Sequence, residues 1–587
     1  MTYDLNIGQP ENKKRTKTFK ALKKLFMILA DEKNTLAMAL TAILINSALT
    51  LFAPLIIGHT IDNYVQTKQY NGVLLFSGIL LGMYLISLLT SYLQTKLMGS
   101  IGQRVLYKLR NDVFNKLQEL PVAFFNVNKA GDLISRINND TDKLNQFFSQ
   151  YLMQFIGSIF IMVGAGIFLL TINLPLGLTA MAPAAALLLF TRIVTPWVKK
   201  LNAVNMASTG NLSSEIQESL SNFKVVVAFN RRDYFRKRFD AANKHYYDTA
   251  VKAGLANSIF IPIYGFFSNM GQLIVLAFGI YLVSTGKFTL GLLISFLSYI
   301  SSFYNPLRQL AAIWSNFQIA LAGWDRISRI LSLQNNLVIK KTAGGSSTFP
   351  VIAFNDVSFS YTEDKKVIQQ ADFKLEQGKT YAFVGPTGGG KTTTASLIAR
   401  LYDPTKGNIE LNGRDLRSYS SKERSEKIGF IIQDPFLFTG TVRDNVFYGN
   451  DQFNETTDEN LVEIIKQSGL TDLLNRFEKG LETPVENGGE SMSLGQKQII
   501  AFMRAVLRNP ELLILDEATA NIDTVTEQQL ETILKQLSES TTRIIIAHRL
   551  NTIENADEIF FINDSRIIRA GSMENAVEML MHQKHDS

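Results

Sequence analysis

The sequence predicts an α-helical polytopic membrane domain (six spans) followed by a soluble α/β domain. Two observations carry this. The first half holds apolar stretches without Asp, Glu, Lys or Arg, each long enough to cross a bilayer, and beyond about residue 335 short β-branched runs alternate with helical patterns. Charged residues make up 19% of the 587 and hydrophobic ones 46%, against roughly 25% charged in soluble proteins, so part of the chain meets a solvent other than water. The length exceeds one compact domain. Without cysteine, disulfides, thiolate metal sites, Fe–S clusters and cysteine nucleophiles are excluded, and the scattered histidines suggest no protein-ligated transition metal.

The charge-free stretches are Asn34 to Gly58, Asn71 to Thr95, Leu144 to Thr191, Ala253 to Gly286 and Phe288 to Leu307. A helix needs about 20 apolar residues to span the hydrocarbon core, so four of them make one span each. Leu144 to Thr191 makes two, turning at Asn173-Leu174-Pro175. Buried helices of a soluble protein would carry a polar stripe that these lack. Lys13, Lys14, Arg15, Lys17, Lys20, Lys23 and Lys24 precede the first span, whereas His59 to Tyr70 after it holds Lys68 as its cation. The positive-inside rule therefore places the N-terminus, and after six crossings the C-terminus, in the cytoplasm. The first span is expected to remain uncleaved, because its apolar segment exceeds that of a signal peptide and no small-residue cleavage site follows. Lys96 to Lys143 and Lys199 to Lys252 are long, charged and of helical composition, so spans two to five are expected to project into the cytoplasm. The net charge of +7 clusters beside the spans, which points to membrane topology and not to nucleic acid. The expected boundaries are a basic segment over 1–33, the six-span domain over 34–330, a turn-rich linker over 331–350 and the soluble domain over 351–587.

The strongest chemical signal is Gly385-Pro386-Thr387-Gly388-Gly389-Gly390-Lys391-Thr392, a Walker A spacing entered by an apolar strand (Tyr381 to Val384) and left by a helical stretch. Glycines let successive backbone N–H groups curl around phosphate oxygens. Lys391 brings a charge to the β/γ-phosphates, Thr392 a hydroxyl for Mg²⁺, and Thr393 stands next along the same nucleotide-binding turn. Leu512 to Leu515 is a buried-strand pattern ending in two acids. Asp516 could hold Mg²⁺ and Glu517 could polarise an attacking water, while His548, after the apolar run Ile544 to Ala547, could reach the terminal phosphate or simply cap its strand. The second half thus reads as an α/β P-loop ATPase domain.

Ser493-Leu494-Gly495-Gln496-Lys497-Gln498, upstream of Asp516, resembles the signature segment of ABC transporters. The whole chain resembles an exporter-type half-transporter of the multidrug and lipid exporter family. Leu120-Pro121-Val122-Ala123-Phe124-Phe125, Gly131 to Arg136 and Asn139-Asp140 resemble that family's first intracellular loop. The resemblance implies roles: Tyr361 stacks on adenine, Gln433 senses Mg²⁺ and the attacking water, and Asp523 reaches the opposite ATP site. Ser493, Gly495 and Gln496 cover the nucleotide held by a second half. Leu494 departs from the family's usual glycine. Loop tips near Phe124 to Lys129 and Asn205 to Leu212 are expected to dock beside Gln433 and transmit force. The cofactors implied are ATP and Mg²⁺. The partners are a second half-transporter, the lipid bilayer and a small amphipathic substrate, and nucleic acid is not among them. The wording Asp516 to Thr524 resembles halves of bacterial heterodimeric multidrug exporters, which puts a heterodimer ahead of a homodimer and the bacterial cytoplasmic membrane ahead of other membranes. Phe160, Met162, Tyr264, Phe266, Phe267, Met270, Phe303 and Tyr304, with no acid or base inside the spans, suit an amphipathic, drug-like or lipid-like cargo. An exporter-fold importer and an ATP-gated channel or regulator remain as alternatives.

Overall fold

A computed structural model describes residues 29–333, 350–362, 365–453, 455–516, 524–546 and 556–582. Packing among these divides the chain into two units, one holding residues 29–117 and 131–332, the other residues 118–130 together with 333 onward. In the first unit, six helices long and apolar enough to cross a membrane run over Ala30–Val65, Tyr70–Gln118, Ala130–Ile172, Leu174–Ser221, Arg232–Ser284 and Leu290–Ser332. The last five have 43 to 53 residues, or about 65–80 Å at 1.5 Å per residue, against a hydrocarbon core of about 30 Å. Spans two to five thus have the length that their expected projection requires, and the sixth span, expected to end near Leu307, is as long. Its polar continuation keeps a helical pattern and packs on the third helix, where Arg326 grips Asp140.

The expected turn between spans three and four is there. Asn173 leaves the helix, its Oδ1 accepts from Leu176 N at 3.0 Å, and Pro175 falls in the first turn, where its missing N–H costs nothing. One expectation fails. Asn205 to Leu212 is no loop tip but the interior of the helix Leu174–Ser221. Its Asn, Ser, Thr and Gly residues favour turns locally, yet they lie against the neighbouring antiparallel helix, where Ser208 is buried and Thr249 Oγ1 reaches Asn205 Oδ1 at 3.4 Å. Packing of small residues outweighs propensity, and the chain reverses instead at residues 222–231.

Two features show what this unit is built to sit in. The second helix leaves Leu74, Leu81, Leu85, Leu88 and Leu89 mostly exposed, an apolar face far larger than water tolerates but without cost in lipid. The first and sixth helices instead pack through small residues: a Cβ on Gly291 would sit 2.0 Å from Gly58 O. Hydroxyls join them, Ser295 Oγ donating to Pro54 O at 2.6 Å and Tyr299 OH to Leu51 O at 2.5 Å. Asp62 then closes the start of the sixth helix, accepting from Gly291 N at 2.7 Å and from Thr289 Oγ1 at 2.5 Å.

In the second unit the described strands are β1 (Ile352–Thr362), β2 (Lys365–Leu375), β3 (Thr380–Val384), β4 (Lys406–Leu411), β5 (Arg414–Asp415), β6 (Ile428–Ile431), β7 (Gly440–Thr441), β8 (Pro484–Val485), β9 (Leu512–Asp516), β10 (Thr542–Ile546), β11 (Glu558–Asn563) and β12 (Arg566–Arg569). β2-β1-β4-β5 form an antiparallel sheet, and β12-β11-β3-β10-β9-β6 form a sheet that is parallel from β11 to β6. Parallel strands covered on both faces read as unbroken apolar runs, and alternate residues feed different cores. Tyr381, Phe383, Ile514 and Ile544 pack with the helix Lys391–Ile398, whereas Leu513 and Leu515 pack against the helix Leu494–Val506. Residues 118–130 belong to this unit through the short helix Val122–Val127: Phe124 is fully buried, Ala123 rests on the core beneath β1 and β2, and Asn126 Nδ2 donates to Tyr402 OH.

Candidate functional site

The parallel register places several of the expected residues at one edge. Phe383 pairs with Ile546, Ile546 with Asp516, and Leu515 with Ile431, so β3, β10, β9 and β6 end side by side. The carboxyl ends of such strands are where α/β sheets bind ligands. The turn Gly385 to Gly390 leaves β3 there, Asp516 closes β9, and Gln433 stands two residues beyond β6. Glu517, Asp523 and His548 lie outside the described residues.

Glycine is required in the turn by conformation and by space. Gly385, Gly388 and Gly390 adopt φ of 146°, 84° and 114°, values side chains disfavour. A Cβ on Gly385 or Gly389 would meet the carbonyl oxygen of Ile562 at 2.1 or 2.5 Å. The loop thus lies flat on the end of β11, whereas a Cβ on Gly388 would meet nothing within 4 Å. Lys391, only 5% exposed, bends back into the curl, its Nζ donating to Gly385 O at 2.8 Å and Pro386 O at 3.0 Å. Pro386 and Thr387 make the outward bend, and Gly389 N closes it on Pro386 O at 3.1 Å. Thr392 Oγ1 donates to Asp516 Oδ1 at 3.3 Å, and that carboxylate is 2% exposed. A buried ammonium inside a glycine turn that opens a helix fits a polyphosphate, and a hydroxyl beside a buried carboxylate is the hard-oxygen pair that suits Mg²⁺.

Tyr361 is placed to offer a flat face. Phe359 and Tyr402 brace its ring edge-on, with centroids 4.9 and 5.1 Å away, and its hydroxyl lies 3.0 Å from Thr393 Oγ1, yet 49% of the residue stays exposed. Tyr402 was missed by sequence reasoning. Burial, and then the neighbouring Tyr361, hold its phenol above the usual tyrosine range, while the Asn126 bond opposes them. From the tip near Phe124 to Lys129, Asn126 Nδ2 donates to Tyr402 OH. Neither residue belongs to a motif, and only the fold brings them together.

Ser493, Gly495 and Gln496 open the helix Leu494–Val506. Ser493 Oγ accepts from Gln496 N at 3.1 Å, and Gln496 Oε1 accepts from Ser493 N at 3.0 Å. This capping box leaves the Ser493 hydroxyl proton and the helix's first N–H groups free for an anion. Leu494 is exposed in this turn. Among the described residues no hydrogen bond joins this segment to the turn Gly385 to Thr392 of the same chain.

The membrane unit holds a cavity of about 830 Å³ between its fourth, fifth and sixth helices. Of the aromatic and methionine residues singled out by sequence, Tyr264 lines it. Tyr304 is buried, with its hydroxyl on Ala180 O at 2.9 Å, and Phe160, Phe266 and Met270 are exposed and outside the cavity lining. Arg308 and Lys199, both just beyond the charge-free stretches, line the cavity as well. Arg308 closes the charge-free stretch ending at Leu307, but the helix runs through it.

Two family models match the chain: ABC transporter transmembrane region over residues 36–307 and ABC transporter over residues 368–520. The uncharacterized ABC transporter ATP-binding protein YfiC of Bacillus subtilis (strain 168) is 31% identical over 98% of this chain and 95% of its own length. The fatty acid ABC transporter ATP-binding/permease protein of Mycobacterium tuberculosis (strain CDC 1551 / Oshkosh) is 34% identical over 84% of this chain and 77% of its own. A solved bacterial Atm1-family ABC exporter with ATP bound superposes with a TM-score of 0.77 at 24% identity, covering 94% of this chain and 96% of that one, and so shares the fold.

Proposed function

The chain belongs to the ABC transporters, and we propose that it is one half of a dimeric exporter that moves amphipathic, drug-like or lipid-like molecules out across the bacterial cytoplasmic membrane. It is a multi-pass membrane protein that binds ATP and couples its hydrolysis to transport. The observation that carries the residue assignment is the edge where buried Lys391 and the Thr392–Asp516 pair stand beyond β3 and β9, parallel strands on either side of β10.

There Lys391 and the N–H groups of Gly388 and of Gly390 to Thr393 hold the phosphates, and Tyr361, braced by Tyr402, stacks on adenine. Thr392, Asp516 and Gln433 are the residues to hold Mg²⁺, which when bound supplies a Lewis acid at the phosphate oxygens. Glu517 orients the attacking water, and His548 hydrogen-bonds the terminal phosphate. Ser493, Gly495 and Gln496 cover the nucleotide of the other half, and Asp523 reaches across to that site. One chain carries one turn and one capping box, with no described hydrogen bond between them, which supports a dimer with shared ATP sites. The wording around Asp516 puts a heterodimer ahead of a homodimer, and the basic residues ahead of the first span support cytoplasmic termini. Closure of the ATP-binding domains favours the outward-facing arrangement of the spans, and hydrolysis returns the inward one. Residues 118–130, anchored on Tyr402, serve as the lever. The fatty-acid relative supports a lipid-like cargo, as does the cavity.

The test is Glu517→Gln in the purified dimer. ATP binding should persist while turnover collapses at least about a hundredfold; undiminished hydrolysis removes Glu517 from its role. Pull-down from membranes should recover a second, similar half, and recovery of this chain alone establishes a homodimer. Accumulation of substrate in inverted vesicles supports export. Accumulation in right-side-out vesicles reverses the direction, and conductance without accumulation replaces transport by a channel.

A further inference from the structure

The cavity of the membrane unit has an unbalanced hydrogen-bonding capacity. Two of its hydroxyls are already committed: Thr191 Oγ1 donates to Leu187 O at 2.9 Å and Thr195 Oγ1 to Thr191 O at 2.6 Å. Tyr264 OH, 3.3 Å from Thr191 Oγ1, must then be the donor of that pair. Asn257 is satisfied by a reciprocal pair with Asn202, both bonds 3.0 Å. Gln309 Oε1 accepts from Ser158 Oγ at 3.1 Å, which orients the amide and leaves its NH₂ donors unspent. Ser315 and the Gln318 amide can donate or accept, so the surplus is of donors: the Gln309 NH₂ group, the guanidinium of Arg308 and the ammonium of Lys199. No acid lines the cavity, and neither cation forms an ion pair among the described residues. Arg308 and Lys199 stay exposed on this largely apolar recess, so both can meet an anion that enters it, and cations beside membrane spans mark a ligand path. Phe260, Ile261 and Ile319 supply apolar wall, and about 830 Å³ suits one small amphiphile.

We propose that this cavity binds an amphiphilic anion, its carboxylate or phosphate head held by Arg308, Lys199 and the Gln309 amide, and its apolar chain lying against Phe260, Ile261 and Ile319. The proposal deepens the transport reading and rests on it: the anion would be the cargo, or a bilayer lipid of the same chemistry. Arg308 selects for charge through a forked, permanently ionised group, while the chain contributes in proportion to its buried methylenes. A neutral or cationic amphiphile of equal length gains the second term alone.

The experiment uses the full chain in phosphatidylcholine nanodiscs and a photoreactive analogue of palmitate, with competition by unlabelled palmitate, hexadecyl phosphate, hexadecanol and hexadecyltrimethylammonium. Labelled peptides should include residues 257–264 or 315–322. Palmitate or hexadecyl phosphate should halve labelling at concentrations about tenfold below those of hexadecanol and the cation. Competition by both anions assigns the site to charge, and competition by one names its head group. Weaker labelling when the disc is doped with phosphatidylglycerol identifies a bilayer lipid as the occupant. R308Q should raise the palmitate concentration about tenfold with hexadecanol competition unmoved, which also shows that the variant is folded, and R308K should recover part of the loss. Equal competition by hexadecanol and palmitate, or an R308Q variant with wild-type anion preference, overturns the proposal. Azido-ATP labelling of the same discs keeps the two readings apart: its persistence with no anion preference leaves the transporter standing without this site.

Discussion

Asp140 and Arg326 form the ion pair whose disruption has a computable sign and order. Arg326 Nε and Nη2 donate to the two oxygens of Asp140 at 2.6 Å each, and Lys143 Nζ adds a third bond at 3.1 Å. The Asp140 side chain is 4% exposed, whereas that of Arg326 is 39% exposed. Removing one partner of a buried pair costs about 3–5 kcal/mol, because the other charge stays uncompensated. Arg326→Gln leaves the buried carboxylate with Lys143 as its remaining cation and should cost about 3 kcal/mol. Asp140→Asn leaves a guanidinium that water can partly rehydrate, so about 2 kcal/mol follows after discounting for exposure. Asp140→Leu/Arg326→Met, which strands neither charge, should lie closer to wild type than Arg326→Gln, with a coupling energy of at least about 1.5 kcal/mol. Thermal unfolding in nanodiscs reads the order directly, at about 2–4 °C per kcal/mol for a domain of this size. Additive single-mutant effects, or Asp140→Asn proving worse than Arg326→Gln, would refute the claim that burial of the carboxylate sets the cost.

Three further outcomes are expected. Gly291→Ala should destabilise the membrane unit by about 1–3 kcal/mol, because its Cβ meets Gly58 O at 2.0 Å; Gly157→Ala, whose Cβ would meet Ile43 at 3.7 Å, should be neutral or stabilising in the same thermal assay. Lys391→Ala should lower ATP affinity by at least about tenfold in azido-ATP labelling, and EDTA should silence hydrolysis of the wild type until Mg²⁺ is restored. Burial and Tyr361 raise the Tyr402 phenol, so the folded state holds its proton more tightly than the unfolded one. The stability it contributes is complete below the ordinary tyrosine range and is lost as pH rises through the folded value; Tyr402→Phe should remove that alkaline limb from unfolding of the soluble unit and reduce substrate stimulation of ATPase.

The sequence by itself determined the features whose causes fit within one short window. A charge-free apolar run must be a helix in lipid because nothing else there satisfies its backbone, so the spans were legible, as was the turn at Asn173. The glycine spacing ahead of Lys391 was legible because close approach to a neighbouring carbonyl tolerates no Cβ, and Ser493 was legible because its capping partner Gln496 is three residues away. Tertiary structure alone decided what depends on residues far apart in the chain. Turn-forming residues at 205–212 became helix because Thr249 and its neighbours lie against them, and Asn126 found Tyr402, 276 positions away. Arg308, which reads as the end of a span, became part of a cavity wall because the fourth and fifth helices close around it. The reason is energetic: a local pattern sets preferences of tenths to about one kcal/mol per residue, while burial, ion pairing and close packing between distant segments contribute several, and these the linear order does not contain.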